Sequence, residues 1–405
     1  MESSVFEKLT AGGASPCFVF DIDALRARAR EIRDMLSPAA RLCYSIKANP
    51  FFIPELADIA DALEVCSPGE LEICKAYGVD PARIIYSGVN KERWDLKDAA
   101  DYGAGTFTAE SLRQLAYLND EGLSRGKRLP VLLRLNGGTQ FGMSAEDLEA
   151  AVMARGELAG VEIVGLHFFQ GTQRKEKRQA EDIRFLTEFL ASFEERTGFR
   201  FGRLEYGPGL KVPYFEGDDF SDTLAPARAL AEQLPALAEG RELTVEMGRF
   251  IAAECGFYLS RVMDIKENGG ICHAILDGGM NHLVYYGQTM AMKTPKMFRI
   301  PGCEGPEGLR GASALPVPGA VRGRKWFLYG SLCSIHDIIC KDVPFDELAA
   351  GDFIVFENCG AYSVTEGIYL FLSRSMPRVY FAKGGELSLV REGLATSPFN
   401  RAENA

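Results

Sequence analysis

Between residues 40 and 250, short β-rich runs alternate with helical stretches eight times. The runs are LCYSI (42–46), LEVC (63–66), RIIYS (83–87), GTF (105–107), PVLLRL (130–135), EIVGLHFF (162–169), RLEY (203–206) and ELTVEM (242–247). Between them lie segments such as KRQAEDIRFLTEFLASFEERTG, whose apolar positions recur near a period of 3.6. SPGE (67–70) reads as a helix start, with Ser67 as N-cap and Glu70 three residues on. Strands separated by helices run parallel, and eight such units predict an α/β fold of the closed (β/α)8 TIM type. An open doubly wound sheet is the alternative.

After residue 258 the texture changes. FYLSRVMDIK, GICHAILDGG, WFLYGSL, DFIVFENCGAY and SMPRVYFA read as strands without regular helices between them. A C-terminal β-sandwich or β-barrel domain is expected, with residues 296–323, rich in Gly and Pro, as a loop excursion. CFVFDID (17–23) is an extra early strand that can pair with it. The expected division is a barrel over 25–258, with 1–24 and 259–405 forming the β domain.

Composition narrows the class. The net charge of −11 is spread along the chain, against the clustered Lys and Arg of nucleic-acid binders. No basic start followed by an apolar run marks a signal peptide, and no stretch of about 18 apolar residues marks a membrane span. The ten cysteines are scattered, with no CxxC and no metal-ligand spacing. Reduced thiols in a cytoplasmic protein are expected, with no metal.

In such a barrel, function sits where strands end. Lys47 ends the first run, Glu64 the second, Arg134 the fifth, His167 to Thr172 the sixth, Gly207 and Gly209 follow the seventh, and Glu246 and Arg249 the eighth. A lysine after a strand is ordinarily a surface residue. Desolvated at a barrel mouth, it can form a Schiff base. EYGPGL (205–210) is either a plain tight turn or a loop whose backbone N–H groups approach a phosphate. Arg249 could add a charged contact to that phosphate. Glu246 could keep a pyridine nitrogen protonated, or could simply pair with a neighbouring cation. A Schiff-base lysine beside a phosphate cradle suggests pyridoxal 5'-phosphate.

YSIKANP, EVCSPGEL, GTQ, YGPGLKVPYF, EMGRFIAA, LDGGMN, GSLCSIHD and NCGAY occur in that order along nearly the whole chain. In this the sequence resembles the fold-type III pyridoxal-phosphate decarboxylases, the alanine-racemase-like superfamily that includes diaminopimelate and ornithine decarboxylases. The resemblance implies that Lys47 holds the cofactor covalently with Glu64 nearby. It implies that Thr172, Gly207, Gly209, Arg249 and Tyr362 hold the phosphate, that Glu246 pairs with the pyridine nitrogen, and that Arg134 lies near the ring hydroxyl. The resemblance further implies that Asp277 lies near the substrate and that Cys333 reaches across a homodimer interface to protonate the carbanion left when CO2 departs.

The sequence also departs from that pattern. The histidine that stacks on the ring is replaced by Phe169, with His167 retained two residues earlier, where it could assist or only support. Ser334 stands where an acidic residue follows the cysteine, and an arginine expected after DGGMN is missing. His282, Tyr285 and His336 occupy that region, so Ser334, His336 and His282 are expected at the substrate's far end. The details resemble a subgroup acting in antibiotic and siderophore assembly. A modified or carrier-tethered amino acid is therefore expected, rather than free diaminopimelate. QRKEKR (173–178) is either a basic patch for a carrier or a solvated helix start. Racemisation or epimerisation is the alternative chemistry, and a cofactor-carrying, non-catalytic barrel the third reading.

Overall fold

A computed structural model describes residues 1–302 and 319–402. The described chain forms two compact units. One comprises Met1–Leu25, Pro213–Phe220 and the chain from Ala252 onward; the other comprises Arg26–Val212 and Ser221–Ile251.

The first strand, β1 (Cys17–Asp21), belongs to the former unit. The next eight build the latter: β2 (Arg41–Ser45), β3 (Ala62–Val65), β4 (Ile84–Tyr86), β5 (Thr106–Ala109), β6 (Leu129–Arg134), β7 (Val161–Phe169), β8 (Arg203–Gly207) and β9 (Glu242–Met247). They pair in parallel in chain order, and β2 against β9 closes the barrel, with Cys43 opposite Glu246. The barrel strands are covered on both faces. Their outward residues, such as Tyr44, Val65, Tyr86, Phe107, Leu133, Phe168 and Tyr206, are buried beneath helices. Inside, Cys43, Ala62, Ile85 and Leu132 pack together with Val164.

Local chemistry sets the helix starts. Ser67 Oγ accepts from Glu70 N at 3.1 Å, with Pro68 in the first turn. Glu70 reaches back one residue further than a capping box does, to Cys66 N at 2.7 Å. That bond fixes the turn leaving β3, just beyond Glu64.

The other unit is one mixed sheet of nine strands. It contains β10 (Gly256–Asn268), β11 (Ile271–Leu276), β12 (Met297–Ile300), β13 (Val321–Tyr329), β14 (Ile338–Leu348), β15 (Phe353–Phe356), β16 (Arg378–Lys383) and β17 (Glu386–Arg391). β1 lies between β10, antiparallel, and β16, parallel. A helix not anticipated from sequence, Ser3–Ala11, packs Val5, Phe6 and Leu9 on Val19, Leu259 and Val355.

Three strands also differ from expectation. β12 lies at the start of the Gly- and Pro-rich excursion, of which residues 303–318 fall outside the described residues. β14 carries Lys341, Asp342, Pro344, Asp346 and Glu347, and this polar edge hid it. β17 follows β16 across Gly384–Gly385, both at positive φ, a tight hairpin turn.

Candidate active site

The carboxyl ends of the barrel strands converge on Lys47. It sits in the single turn Ile46–Ala48 that follows β2. The turn is pinned on both sides. Tyr44 Oη donates to Asn49 O at 2.9 Å, and Asn49 Oδ1 accepts from Phe51 N at 3.2 Å. Gly248 leaves room for it, since an added Cβ there would lie 2.9 Å from Ala48 Cβ.

Lys47 Nζ lies 2.6 Å from Glu64 Oε2, 3.5 Å from Glu246 Oε1 and 3.6 Å from Cys66 Sγ. Glu246 is buried and well partnered: Ser45 Oγ donates to Oε1 at 3.2 Å, and His167 Nε2 lies 3.1 Å from Oε2. Burial alone would raise the Glu246 carboxyl. Lys47 and the His167 hydrogen bond outweigh it and hold Glu246 well below the usual carboxylate range. Burial and the adjacent Glu64 push the Cys66 thiol up, so it stays protonated beside the lysine.

A second group forms from the loops after β7, β8 and β9. Gly209 has φ +56°, and an added Cβ would overlap the Gly171 carbonyl and crowd Thr172. Arg174 N donates to Gly209 O at 2.8 Å, locking the two loops together. Arg249 Nε donates to Thr172 Oγ1 at 3.1 Å. Gly207 makes space for Phe169, whose ring a Cβ there would strike at 2.5 Å. On the other side of the mouth, Arg134 Nη1 meets Glu110 Oε1 at 2.5 Å, and its guanidinium lies 4.8 Å over the Phe141 ring. Arg134 Nε has no hydrogen-bond partner.

These groups fit pyridoxal phosphate. A lysine amine stands next to a carboxylate that stays charged, as a protonated pyridine nitrogen requires. A glycine turn closed to any side chain brings backbone beside a hydroxyl and a guanidinium, a donor set for phosphate. The basic stretch 173–178 is a helix start: the helix begins at Glu176, Arg174 pairs with Asp182 at 2.5 Å and Arg178 with Glu181 at 3.0 Å.

The remaining expected residues lie in the β unit. Tyr362 has φ +69° and caps the short helix Ser363–Glu366. Cys333 and His336 are exposed and Ser334 is half-buried. Asp337, not singled out in the sequence, anchors their loop. It is 1% exposed; Oδ2 accepts from Leu332 N at 2.7 Å and Oδ1 from Met280 N at 2.8 Å. Gly279 and Gly330 leave the space its carboxylate fills.

Two of the expected substrate residues are engaged within the β unit. His282 is 2% exposed, with Nδ1 2.8 Å from Tyr258 Oη and Nε2 3.2 Å from Ser375 O. Asp277 uses its carboxylate within the sheet, accepting from Ser260 Oγ at 2.8 Å and Arg261 N at 2.9 Å. A cavity of about 400 Å³ does border His336, lined also by Met280, Leu283, Tyr285, Met290 and Ile338.

Glu110, Ser45 and Glu205 were also missed. Glu110 lies just past β5, which runs on to Ala109, two residues beyond the GTF run. Ser45 and Glu205 occupy inward strand positions, and strand periodicity was the available signal.

Comparison with known proteins identifies the family and the fold. Residues 22–253 match the pyridoxal binding domain of the pyridoxal-dependent decarboxylases. The chain is 27% identical, over 96% of its length and 94% of the relative's, to L-glutamyl-(BtrI acyl-carrier protein) decarboxylase of Niallia circulans. It is 25% identical, over 93% and 96%, to 2-((L-alanin-3-ylcarbamoyl)methyl)-2-hydroxybutanedioate decarboxylase of Staphylococcus aureus. The fold is that of diaminopimelate decarboxylase from Helicobacter pylori, solved with L-lysine: TM-score 0.81 at 20% identity, covering 97% of this chain and 98% of that one.

Proposed function

The chain belongs to the pyridoxal-dependent decarboxylases, and from that premise we propose that it decarboxylates an amino acid whose far end is conjugated or carried on an acyl-carrier protein. That it is a pyridoxal-phosphate-dependent amino-acid decarboxylase follows from the family and its relatives. The cofactor chemistry rests on one observation above all, the Lys47 amine held between Glu64 and Glu246.

When bound, pyridoxal phosphate supplies an electron sink for the pair left behind as CO2 departs. The chain's own residues do the rest. Lys47 is the covalent anchor. Glu246 stays a carboxylate and holds a proton at the pyridine nitrogen, and His167 fixes its orientation through Nε2–H. Thr172, Arg249 and the Gly207–Gly209 backbone grip the phosphate, with Tyr362 as a further donor. Phe169 would pack on the ring, and Arg134, itself fixed by Glu110, would serve the ring hydroxyl. Cys333 of a second copy would serve as the proton donor to carbon, and the working enzyme would then be a homodimer with shared sites. The barrel unit (Arg26–Val212 and Ser221–Ile251) would thus carry the cofactor, and the β unit would supply the acid.

The residue after Cys333 supports the choice of substrate. Ser334 offers no carboxylate for a distal amine, and the cavity at His336 is largely apolar. Two relatives act on substrates conjugated at the far end, one of them tethered to a carrier protein. A reducing, cytoplasmic setting is in keeping with nine free cysteines among the described residues. No described helix is long and apolar enough to cross a membrane.

Lys47→Ala tests the assignment. The variant should lose both the yellow cofactor absorbance and CO2 release; cofactor still bound covalently would overturn it. CO2 release measured across free diaminopimelate, free glutamate and glutamyl conjugates tests the substrate class, and free diaminopimelate as the best substrate would refute it. Deuterium exchange at Cα without CO2 release would instead indicate a racemase.

A further inference from the structure

Glu205 has no part in the chemistry above, yet it is 1% exposed and neither of its carboxyl oxygens has a hydrogen-bond partner. It points into the barrel from β8, in register with His167 on β7 and Thr244 on β9. One polar atom from each of His167, Glu205 and Glu246 lies within 4.8 Å of the other two. Barrel interiors are ordinarily filled by bulky branched apolar side chains. Here Cys43 and Ala62 are small, and a cavity of about 250 Å³ lies below Glu205 at the amino ends of the strands. Thr106, Leu132 and Thr244 line it, and the Arg41–Glu242 ion pair, at 2.8 Å, stands at its mouth.

We propose that Glu205 is the neutral member of this group, a carboxylic acid that serves Glu246 and His167 as a proton store and exchanges with solvent through the cavity on the face of the barrel opposite Lys47. Two carboxyl groups this close and this buried cannot both ionise. Glu246 takes the charge because Lys47, Ser45 and His167 all face it. Burial, then Glu246 and Glu64, push Glu205 well above the usual carboxyl range; Lys47 and Arg134 oppose this and are outweighed. The Cys43 thiol faces the same space, and burial keeps it protonated. Arg203 and Glu242 stand at the far end, 3.2 Å apart. His167 Nδ1 has no partner either, and in the tautomer that donates from Nε2 it is an open acceptor. The transfer moves one proton from a Glu205 oxygen to His167 Nδ1, and a proton relayed from bulk solvent through cavity water restores the Glu205 acid; no electrons change hands.

The inference takes Glu246 as the charged partner of the cofactor, and the test separates the two claims. Infrared spectra of the holoenzyme at neutral pH should show a carboxylic-acid C=O band that Glu205→Gln removes, with cofactor absorbance and melting confirming that the variant folds. Ala82→Leu, at the exposed rim of the cavity, should slow the deuterium shift of that band several-fold. Absence of the band from the wild type, its persistence in Glu205→Gln, or a stoichiometric divalent metal found by elemental analysis would each overturn the proposal. An unaltered exchange rate in Ala82→Leu would overturn the route. Glu246→Gln that kept normal cofactor affinity would count against the role of Glu246 and leave the Glu205 band to decide the store.

Discussion

Lys47 Nζ lies 2.6 Å from Glu64 Oε2, so the amine proposed to anchor the cofactor is ion-paired with a carboxylate on the neighbouring strand. An opposite charge at that distance stabilises the protonated form. Glu64→Gln should release the amine more easily. When cofactor is added to cofactor-free protein, the midpoint pH for the yellow absorbance should fall by about one unit or more. An unmoved midpoint would show that Glu64 does not set the amine's protonation.

Gly209 and Gly126 differ in a useful way. Both have positive φ, +56° and +61°, but only at Gly209 does an added Cβ collide with backbone. Gly126→Ala should cost about 1 kcal/mol of stability and leave cofactor affinity alone. Gly209→Ala should in addition weaken cofactor binding by about tenfold or more, since about 1.4 kcal/mol of distortion in the cradle is enough for that. Titration of cofactor by absorbance or fluorescence distinguishes them.

The Arg134–Glu110 pair is buried on both sides, at 9% and 3% side-chain exposure. Glu110→Ala strands a guanidinium inside the barrel mouth and should destabilise the protein by about 3–5 kcal/mol in urea unfolding. A loss under about 1 kcal/mol would mean that water reaches Arg134.

Asp337 ties the Cys333 loop to Met280 through two backbone N–H groups. Asp337→Asn can replace only one of the two acceptors, and should cost about 2 kcal/mol. Cys333 should then alkylate faster, and CO2 should exceed amine product as carbon protonation loses its fidelity. A CO2-to-amine ratio of one in Asp337→Asn, but not in Cys333→Ala, would show that the loop holds its place without Asp337.

His282 gives the fold an acid limit. Burial holds it down at about 4, against 6.5 unperturbed. The folded state therefore needs the neutral ring, while the unfolded chain takes up a proton below 6.5. The stabilisation is present above pH 6.5 and is lost as pH falls toward about 4, by about 3 kcal/mol in all. His282→Gln should narrow its stability deficit over that window; a deficit independent of pH would rule the histidine out.

Much of this was legible because parallel barrel strands, buried on both faces, leave dense apolar runs. The lysine, the glycine turn and Glu246 stood at strand ends, where position carries function. What escaped depended on strands whose faces differ. β14 hides behind its charged edge, and β5 continues past the residue at which its apolar run stops, which concealed Glu110. Asp337 and His282 could not be told apart by residue type. Each is a polar residue next to a recognisable motif, and only packing shows that one staples a loop while the other fills the sheet interior.

β1 carries a consequence for biosynthesis. Phe18, Val19 and Phe20 leave the ribosome before any barrel strand, but the strands that flank β1 are residues 256–268 and 378–383. At roughly 5–20 residues per second, that separation is a delay on the order of tens of seconds. The barrel can close in the interval, while this apolar segment waits for its neighbours. Holding that segment unpaired is a task for a chaperone, and expression yield should depend on one.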